Sequence, residues 1–317
     1  MHCLRHFLPF FLRLFLMGIR AFLSYNFGSL YHPVLHRWRH RAEYRLLKPV
    51  LKKSLSTMKS LSVKLPSEGE GRAVNGKSLI QIHVFYTDLL PEFYGHLKGI
   101  TVPYDLFIST DTAEKKQEIE TFFYINKLSA GKIEVETFEN RGRDVYPFLS
   151  QVHNRIGSYD YVAHFHTKKT LHSDMGDFWR KSLLKTLLGG GARYDAAASY
   201  LEKNHDCGLL IPFVPKNRSL YWGYARTKID KWNENTVSEL LDSFSCRGSG
   251  YSTVDYEHPA GTMFIGRMMA VRQVFEHEFS AADYPDEEGQ VEHTLQHALE
   301  LVWHPVCVAN GYRIGVV

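Results

Sequence analysis

The chain has 317 residues, of which 44% are hydrophobic and 23% are charged, so it is long and apolar enough to form a globular body with a sizeable core. The formal net charge is +4, but residues 1–56 alone hold ten Lys or Arg residues and one acid, Glu43, which leaves the remainder mildly acidic. A nucleic-acid-binding protein is expected to carry its positive charge on the folded body, so this distribution argues against a nucleic-acid partner.

The four cysteines lie far apart in the sequence and form no CxxC pair: Cys3, Cys207, Cys246 and Cys307. This spacing argues against a zinc ribbon and against a disulfide scaffold. We therefore expect the protein to reside in a reducing compartment.

The most apolar stretch lies at residues 4–23 and is interrupted by Arg13. An arginine in the middle of a membrane span costs roughly 2.5–3.5 kcal/mol, and neither flank has the ~20 apolar residues that a span needs. No small-residue cleavage site follows, which argues against a removed signal peptide. Arg5, Arg13 and Arg20 fall on one stripe of a helix at ~100° per residue, which predicts an amphipathic helix lying in a membrane interface.

A strongly basic segment follows at residues 36–53, with seven Lys or Arg side chains. Basic residues beside an apolar helix favour an anionic leaflet by about 1 kcal/mol each. We therefore predict a membrane-association arm over residues 1–63 and a polar, glycine-bearing linker over residues 64–77. The alternative is that the arm packs on the domain or on a second subunit.

Beyond the linker, apolar β-rich runs alternate with segments of helical periodicity. We predict strands at residues 78–86, 104–110, 132–139 and 159–165, and helices at residues 87–100, 112–126 and 143–156. Further helices and helix–strand pairs are predicted at residues 178–191, 196–215 and 258–275. Strands that alternate with helices imply an α/β fold over residues 78–317, a Rossmann-type, mainly parallel sheet flanked by helices.

The loops after the first four strands form the candidate site, because ligands of such sheets bind outside the carboxyl ends of the strands. The loop after the third strand contains Asn140, Arg141, Gly142, Arg143 and Asp144. Two guanidinium groups around a glycine at a helix N-terminus are suited to bidentate binding of a diphosphate. The alternative places both arginines at the surface and makes Asp144 a helix cap.

The loop after the second strand, residues 109–112, also has two interpretations. In the first, Asp111 holds a ribose hydroxyl or a base edge of a nucleotide. In the second, Ser109 or Thr110 caps the helix that follows.

The fourth strand ends in a basic cluster. His164 and His166 alternate with Phe165, so both imidazoles point to one face of the strand. His166, Lys168 and Lys169 together are suited to neutralise a phosphate or a departing diphosphate. Two alternatives remain open: the histidines bind a metal, although no carboxylate or cysteine accompanies them at ligand spacing, or the cluster is structural.

Several segments of the body together resemble the rhamnan synthesis F family, bacterial glycosyltransferase-type proteins of cell-wall and lipopolysaccharide polysaccharide assembly. The segments are IHVFYTDLLPEF, PYDLFISTD, ENRGRDVYPFL, YDYVAHFHTKKT and FWRKSLLKTLLGG, and the resemblance covers about residues 78–312. It implies transfer of a deoxy-sugar, typically rhamnose, from a nucleotide-diphospho-sugar such as a dTDP donor to a lipid-linked glycan. It also implies a peripheral location at the cytoplasmic face of the inner membrane.

The layout is also similar to that of GT-A glycosyltransferases, in which a strand near residue 165 ends in a metal-binding DxD motif. Here the strand ends in HFHTKK, without the acidic pair. A divalent cation is compatible with such a fold but lacks its usual ligands, and lysines are able to supply the positive charge in its place. Two rival functions are a metal-dependent hydrolase that uses His164 and His166, and a non-catalytic scaffold of a polysaccharide assembly complex.

Aromatic residues of the second half are candidates for the acceptor side of the site. Trp179, Tyr221 and Trp222 are suited to stack on an acceptor sugar. The alternative is that these side chains pack in the core or on the surface.

The catalytic base is expected near the C-terminus of the domain. An inverting transfer needs a carboxylate that takes the proton of the acceptor hydroxyl. The GT-A resemblance places it at Glu292, at the start of a helix within residues 286–300, with Asp255 and Glu257 as alternatives. A carboxylate in that position is also explained by its favourable interaction with the helix dipole.

Overall fold

The computed structural model describes most of the chain beyond residue 62. The described residues are 63–66, 74–167, 169, 174–212, 231–246, 258–290 and 293–317. The chain divides into two compact units, Met1–Ser60 and Leu61–Val317, and every described residue lies in the second unit. The amphipathic helix and basic segment of the predicted arm lie outside the described residues, so the arm stays a prediction.

A seven-stranded sheet organises the second unit. Its strands are β1 (Ser78–His83), β2 (Tyr104–Thr110), β3 (Ile133–Thr137), β4 (Tyr161–His166), β5 (Cys207–Ile211), β6 (Phe264–Arg267) and β7 (Arg313–Val316). The strand order is β3–β2–β1–β4–β6–β5–β7, and only β6, among the described strands, runs antiparallel to its neighbours. Every residue of β1, β2 and β4 is buried, as expected of parallel strands that are covered on both faces.

The helices connect these strands and cover both faces of the sheet. They are α1 (Leu90–Leu97), α2 (Ala113–Ile125), α3 (Val145–His153), α4 (Asp174–Leu187), α5 (Ala192–Lys203), α6 (Lys231–Ser243), α7 (Met268–Glu276), α8 (Leu295–Leu299) and α9 (Trp303–Ala309). Short 3-10 helices occur at Thr87–Leu89, Ile156–Ser158, Ala260–Thr262 and Ala281–Asp283. Among the described helices, none combines the length and apolar character that a membrane span needs.

Alternate residues of each strand face two separate cores. Ile80 and Ile82 of β1 pack in the core formed with α1, α2, α4 and α5. Leu79 of the same strand faces the other core, which is formed with α3 and α6 to α9. The two-residue period of a strand places Gln81 and His83 on the same face as Leu79, beneath α3.

The predicted class, α/β with a mainly parallel sheet flanked by helices, is confirmed. The four predicted strands of the first half are present, and Pro147 lies in the first turn of α3, as expected. The helix predicted within residues 286–300 is shorter than expected and begins only at Leu295. Left-handed backbone at Gly289 (φ 78°) and His293 (φ 62°) is incompatible with a helix through the preceding residues. The sequence pattern also missed β7 and α9.

The topology brings the ends of four parallel strands to one edge of the sheet. β1 lies between β2 and β4, and β3 lies beyond β2. All four run in the same direction, so their carboxyl ends share one edge. The loops that follow them therefore meet at the place where a ligand of this kind of sheet binds.

Candidate functional site

A row of polar side chains ends the parallel strands. His83, at the end of β1, is in register with Ser109 of β2 on one side and with His166 of β4 on the other. His83 Nδ1 lies 2.9 Å from Ser109 Oγ. All three residues are buried, so the row forms the floor of the carboxyl edge.

A second polar row lies one pleat deeper, beneath α3. Gln81 Nε2 donates to Ser109 Oγ at 2.8 Å and to Gln151 Oε1 of α3 at 2.9 Å. His164 Nδ1 lies 2.7 Å from Gln81 Oε1, and its ring stacks on Phe148 at 4.1 Å between ring centroids. Buried polar groups are costly unless they are hydrogen-bonded, and these groups satisfy one another.

Burial keeps the imidazole rings of His83 and His164 uncharged. Desolvation lowers the pKa of His83 to about 4, with His166 and His164 acting in the same direction and Asp144 and Asp111 opposing them. Desolvation likewise lowers the pKa of His164, although Asp144 partly opposes the shift. Both rings are therefore neutral at pH 7.

Asp144 connects this network to the loop after β3. It occupies the N-cap position of α3 but makes no capping hydrogen bond, so the alternative of a plain helix cap does not describe its side chain. Its Oδ2 lies 3.3 Å from His164 Nε2, and the residue is only 7% exposed. His164 itself is completely buried, so it reaches a ligand only through Asp144 or another member of the network.

His166 and Thr167 connect the end of β4 by hydrogen bonds to Gly261 and to the chain that follows β1. His166 Nε2 donates to the carbonyl oxygen of Gly261 at 2.8 Å, and Gly261 has a φ of 59°. Thr167 Oγ1 accepts hydrogen bonds from the backbone N–H groups of Phe85 at 2.9 Å and Tyr86 at 3.0 Å. Thr167 therefore holds the chain that follows β1 against the end of β4.

Asp111 lies at the same edge and is paired. Lys115 Nζ binds its Oδ1 at 2.6 Å and lies 4.0 Å from the centroid of the Phe85 ring. The cap of α2 is Thr112, which accepts from the N–H of Lys115 at 3.2 Å. The alternative in which Ser109 or Thr110 caps the helix is wrong, because both residues are still part of β2.

The backbone of the predicted diphosphate loop is left-handed at two successive residues, Gly142 (φ 63°) and Arg143 (φ 55°). A Cβ on Gly142 would lie 2.6 Å from Tyr284 Cδ1 and 2.7 Å from Tyr146 Cβ, so only glycine fits there. A left-handed arginine costs roughly 1–2 kcal/mol, which its side-chain contacts must offset. Asn140, which precedes this turn, is exposed.

Both arginines of this loop bind the acidic segment at residues 284–290. Arg141 pairs with Asp286 and also donates to the carbonyl oxygen of Tyr284 at 2.9 Å. Arg143 holds Glu287 with two hydrogen bonds, from Nε at 2.8 Å and from Nη2 at 2.9 Å. The hydrogen bonds that Arg143 donates to Glu287 raise the pKa of the Arg143 guanidinium above its usual value.

Lys169 and Trp179 are both partly buried, but they have different surroundings. Lys169 pairs with Asp88 in the loop after β1 and lies 5.0 Å from the centroid of the Tyr86 ring. It is thus at the predicted edge. Trp179 is partly buried and packs against the core beneath α4, as the alternative interpretation expected.

Several predicted site residues lie outside the described residues, and their roles stay predictions. They are the base candidates Glu292, Asp255 and Glu257, the phosphate-binding candidate Lys168, and the acceptor-side aromatics Tyr221 and Trp222.

The side chains at the end of β4 do not fit a divalent cation. Within the described part of the chain, no group of three His, Cys, Asp or Glu residues is arranged to hold a metal ion. His164 Nδ1 is bonded to Gln81, its ring is completely buried, and His166 uses Nε2 to donate to Gly261. The hydrolase alternative, which needs these two histidines as metal ligands, therefore has no support in this geometry.

Four members of the network were not predicted from the sequence: Gln81, His83, Ser109 and Gln151. One signal was available, because Gln81 and His83 alternate with isoleucine and valine in an otherwise apolar strand. Polar residues at successive positions of one face of a buried strand indicate a partner on that face.

Curated relatives of the chain come from two strains of Xanthomonas campestris pv. campestris, where the protein is named uncharacterized protein WxcX. The chain is 30% identical to each over 243 residues, which is 75% of this chain and 32% of the relative. It thus spans about a third of the length of the curated relatives it matches.

The solved structures to which the chain is similar include a mannosyltransferase and a fragment of TarS. A mannosyltransferase from Pyrobaculum calidifontis in complex with GDP-Man and Mn²⁺ has a TM-score of 0.43 and 12% identity, over 94% of this chain and 64% of that one. Residues 1–349 of S. aureus TarS have a TM-score of 0.36 and 14% identity, over 76% of this chain and 58% of that one. The family model described as rhamnan synthesis protein F matches residues 14–312. The match covers nearly the whole chain and confirms the resemblance seen in its motifs, so the chain belongs to the rhamnan synthesis protein F family.

Proposed function

We propose that the domain is a glycosyltransferase that binds a nucleotide-diphospho-sugar at the carboxyl edge of β1 to β4. One observation carries this proposal: in a chain of the rhamnan synthesis protein F family, the loops after four adjacent parallel strands bring polar and basic side chains to one edge. Asp111 follows β2 and Arg143 lies in the loop after β3, whereas His166 ends β4 and Lys169 lies in the loop after it. Family membership also makes rhamnose or another deoxy-sugar the favoured donor sugar.

The basic residues provide the electrostatic part of the reaction. When an acceptor hydroxyl attacks the anomeric carbon, the bond to the nucleoside diphosphate breaks and negative charge grows on the leaving oxygen. Fixed positive groups near that oxygen lower the barrier. We assign this role to the loop of Arg141 and Arg143 and to the cluster of His166, Lys168 and Lys169, which replaces the metal ion of DxD-containing enzymes.

Donor binding at the arginine loop requires an exchange of partners. Arg141 and Arg143 are held by Asp286 and Glu287, and a diphosphate would take over the same guanidinium donors. Guanidinium groups bind phosphate and carboxylate with the same bidentate geometry, so the exchange conserves hydrogen bonds. The acidic segment would then move away from the loop when the donor binds.

The residues proposed for binding and activating the acceptor are inferred from the sequence alone. Glu292 or Asp255 is the proposed base, and Tyr221 and Trp222 are the proposed stacking residues. A lipid-linked polysaccharide is the proposed acceptor, and the basic arm would place the domain on the cytoplasmic face of the inner membrane. Membrane attachment of both enzyme and acceptor would raise the rate at which they meet.

A direct test compares the Arg143→Ala and Lys168→Ala variants with wild-type protein. We expect both to lose transfer from a panel of nucleotide-sugars. Lys116→Ala is the matched control, because Lys116 lies on α2 and the only ion pair of its side chain among the described residues is with Glu120, at 3.8 Å. Circular dichroism and melting temperature verify that each variant is folded. Wild-type activity in both variants would overturn the assignment.

The donor is identified by the melting temperature of the wild-type protein with dTDP-, UDP- and GDP-sugars. A ligand that binds only the folded state raises the melting temperature by mass action. If no nucleotide or nucleotide-sugar raises it, the scaffold alternative is favoured over the enzyme.

A further inference from the structure

Among the described residues, only one nitrogen of the His83 ring has a hydrogen-bond partner. Nδ1 lies 2.9 Å from Ser109 Oγ. Nε2 makes no hydrogen bond within the described part of the chain, and the residue is 8% exposed at the carboxyl edge. Whether Nε2 offers a proton or a lone pair decides what it is able to bind. The hydrogen bonds of the neighbouring buried side chains determine which of the two it offers.

A backbone carbonyl fixes which groups donate and which accept in the hydrogen-bond network. The oxygen of Ile108 only accepts, so the group that contacts it at 3.1 Å is the Gln151 amide nitrogen. Gln151 Oε1 therefore faces Gln81, and Gln81 Nε2 donates to it at 2.9 Å. The amide orientation of Gln81 follows from this, with its nitrogen toward Ser109 and its oxygen toward His164.

The hydrogen bonds of Ser109 in turn fix the position of the proton on the His83 ring. Its hydroxyl oxygen accepts from Gln81 Nε2 at 2.8 Å, and Ser109 is completely buried. Among the described residues, the only acceptor within reach of its O–H group is His83 Nδ1. The hydroxyl donates to Nδ1, so the single proton of a neutral His83 ring is on Nε2.

The same reasoning gives His164 the opposite tautomer. The oxygen of Gln81 faces His164 Nδ1 at 2.7 Å, so that nitrogen carries the single proton of the neutral ring, and Nε2, which lies 3.3 Å from Asp144 Oδ2, has no proton to donate to the carboxylate. The two buried histidines of adjacent strands are thus expected to differ in tautomer, one Nε2–H and one Nδ1–H. This difference depends only on the hydrogen bonds beneath α3.

The charged and titratable groups around His83 come from three sides. His164 and His166 face it from β4, Asp144 from the start of α3, and Asp111 from the loop after β2. Their net effect together with burial is to lower the pKa of His83 to about 4. An imidazolium, which would attract phosphate by its charge, is therefore absent above about pH 5.

We propose that His83 is a binding residue for the nucleotide donor, to which its Nε2–H gives an uncharged hydrogen bond that does not vary with pH in the neutral range. This role rests on the proposed function. The acceptor is an oxygen atom of the nucleoside diphosphate. Gln81, Ser109 and Gln151 are positioning residues that keep the proton on Nε2.

Nuclear magnetic resonance tests the tautomers without any ligand. The full chain is labelled with 15N-histidine, and the two signals are assigned by their loss in the His83→Gln and His164→Gln variants. We expect His83 in the Nε2–H form and His164 in the Nδ1–H form at pH 7. The same tautomer in both rings, or a protonated His83, overturns the network. In Ser109→Ala the fixed donor to Nδ1 is lost, and we expect His83 to become a mixture of tautomers.

Nucleotide titrations test the binding role. In His83→Gln the side-chain amide places an N–H group near the position of Nε2, whereas His83→Leu removes the donor. For whichever of dTDP, UDP and GDP the wild type binds, we expect His83→Leu to weaken binding roughly tenfold and His83→Gln to stay within about threefold. Wild-type affinity in a folded His83→Leu, or a loss that grows as pH falls through 6.5, overturns the role. If His83→Leu does not fold, Ser109→Ala replaces it, with an expected smaller loss, and unchanged affinity overturns the role.

The two proposals fail in different ways. If the wild type binds none of the three nucleotides, the proposed function fails and the role of His83 fails with it. If the wild type binds and the leucine variant binds equally well, the role of His83 alone fails.

Discussion

His83 should make the stability of the domain depend on pH. In the folded protein its pKa is lowered from 6.5 to about 4, mainly by burial, so the folded state resists protonation of the ring. The unfolded chain binds that proton near pH 6.5. Between these two values the unfolded state holds more protons than the folded state, so the free energy of unfolding falls as the pH falls. Above pH 6.5 the ring is neutral in both states and contributes no pH dependence.

The size of the effect follows from the difference between the two pKa values. Linkage gives a loss of about 2 kcal/mol at about pH 5, and about 3 kcal/mol once both states are fully protonated. The residue is only 8% exposed, so screening by solvent reduces this little. A loss of about 2 kcal/mol is a large part of the 5–15 kcal/mol that typically stabilises a domain.

Urea denaturation of the wild type and of His83→Gln, measured from about pH 8 to about pH 5, isolates this contribution. Glutamine keeps a hydrogen-bonding side chain but has no titration, and the other ionisable groups, including His164, contribute equally to both proteins. We expect the wild type to lose about 2 kcal/mol more than His83→Gln over this range. Equal pH dependence in the two proteins would refute the reasoning, because it would mean that folding does not lower the pKa of His83.

Three further predictions follow from the site. In a His164 ring with its proton on Nδ1, the Nε2 lone pair faces Asp144 Oδ2, so Asp144→Asn, which places an amide donor there, should be more stable than Asp144→Ala by about 1–3 kcal/mol in urea denaturation, and an Asn variant no more stable than Ala would contradict this. A double-mutant cycle of Arg143→Ala and Glu287→Ala should give a coupling free energy of about 1–2 kcal/mol, since the ion pair is bidentate and only about one fifth exposed. Zero coupling would show that the Arg143–Glu287 ion pair does not form in solution. Thr112→Ala should lower stability by about 1 kcal/mol and Thr112→Ser should restore most of it, and an equal loss in both would rule out the cap.

The general architecture could be predicted because it depends on local patterns. Alternating apolar runs and helical periodicity identified the strands from Ser78 to His166 and the helices between them, and Pro147 and the glycines after α4 marked the ends of elements. The site loops were also predictable, because the carboxyl ends of parallel strands share an edge whatever the details of packing. Asp144, His166 and Lys169 lie at that edge as expected.

The contacts within the site could not be predicted in the same way. Arg143 was interpreted as a ligand for diphosphate, but its partner in the structure is Glu287, which lies 144 residues further along the chain. The acidic segment was expected to begin a helix, and the left-handed residues Gly289 and His293 prevent it. No local periodicity reports which distant carboxylate a guanidinium will meet, because that depends on how the helices pack.

The sequence by itself determined the class of fold, the family and the edge of the sheet where a ligand should bind, because all three follow from residue types at short spacing. Only the tertiary structure decided which polar groups touch. It set His83 against Ser109, and His164 against Gln81 and Asp144, through pairs separated by 20 to 83 residues. Because these side chains are buried, water is not available to them as a hydrogen-bond partner, so each donor depends on an acceptor within the network. That requirement sets the charge and tautomer of the histidines, which their place in the sequence leaves open.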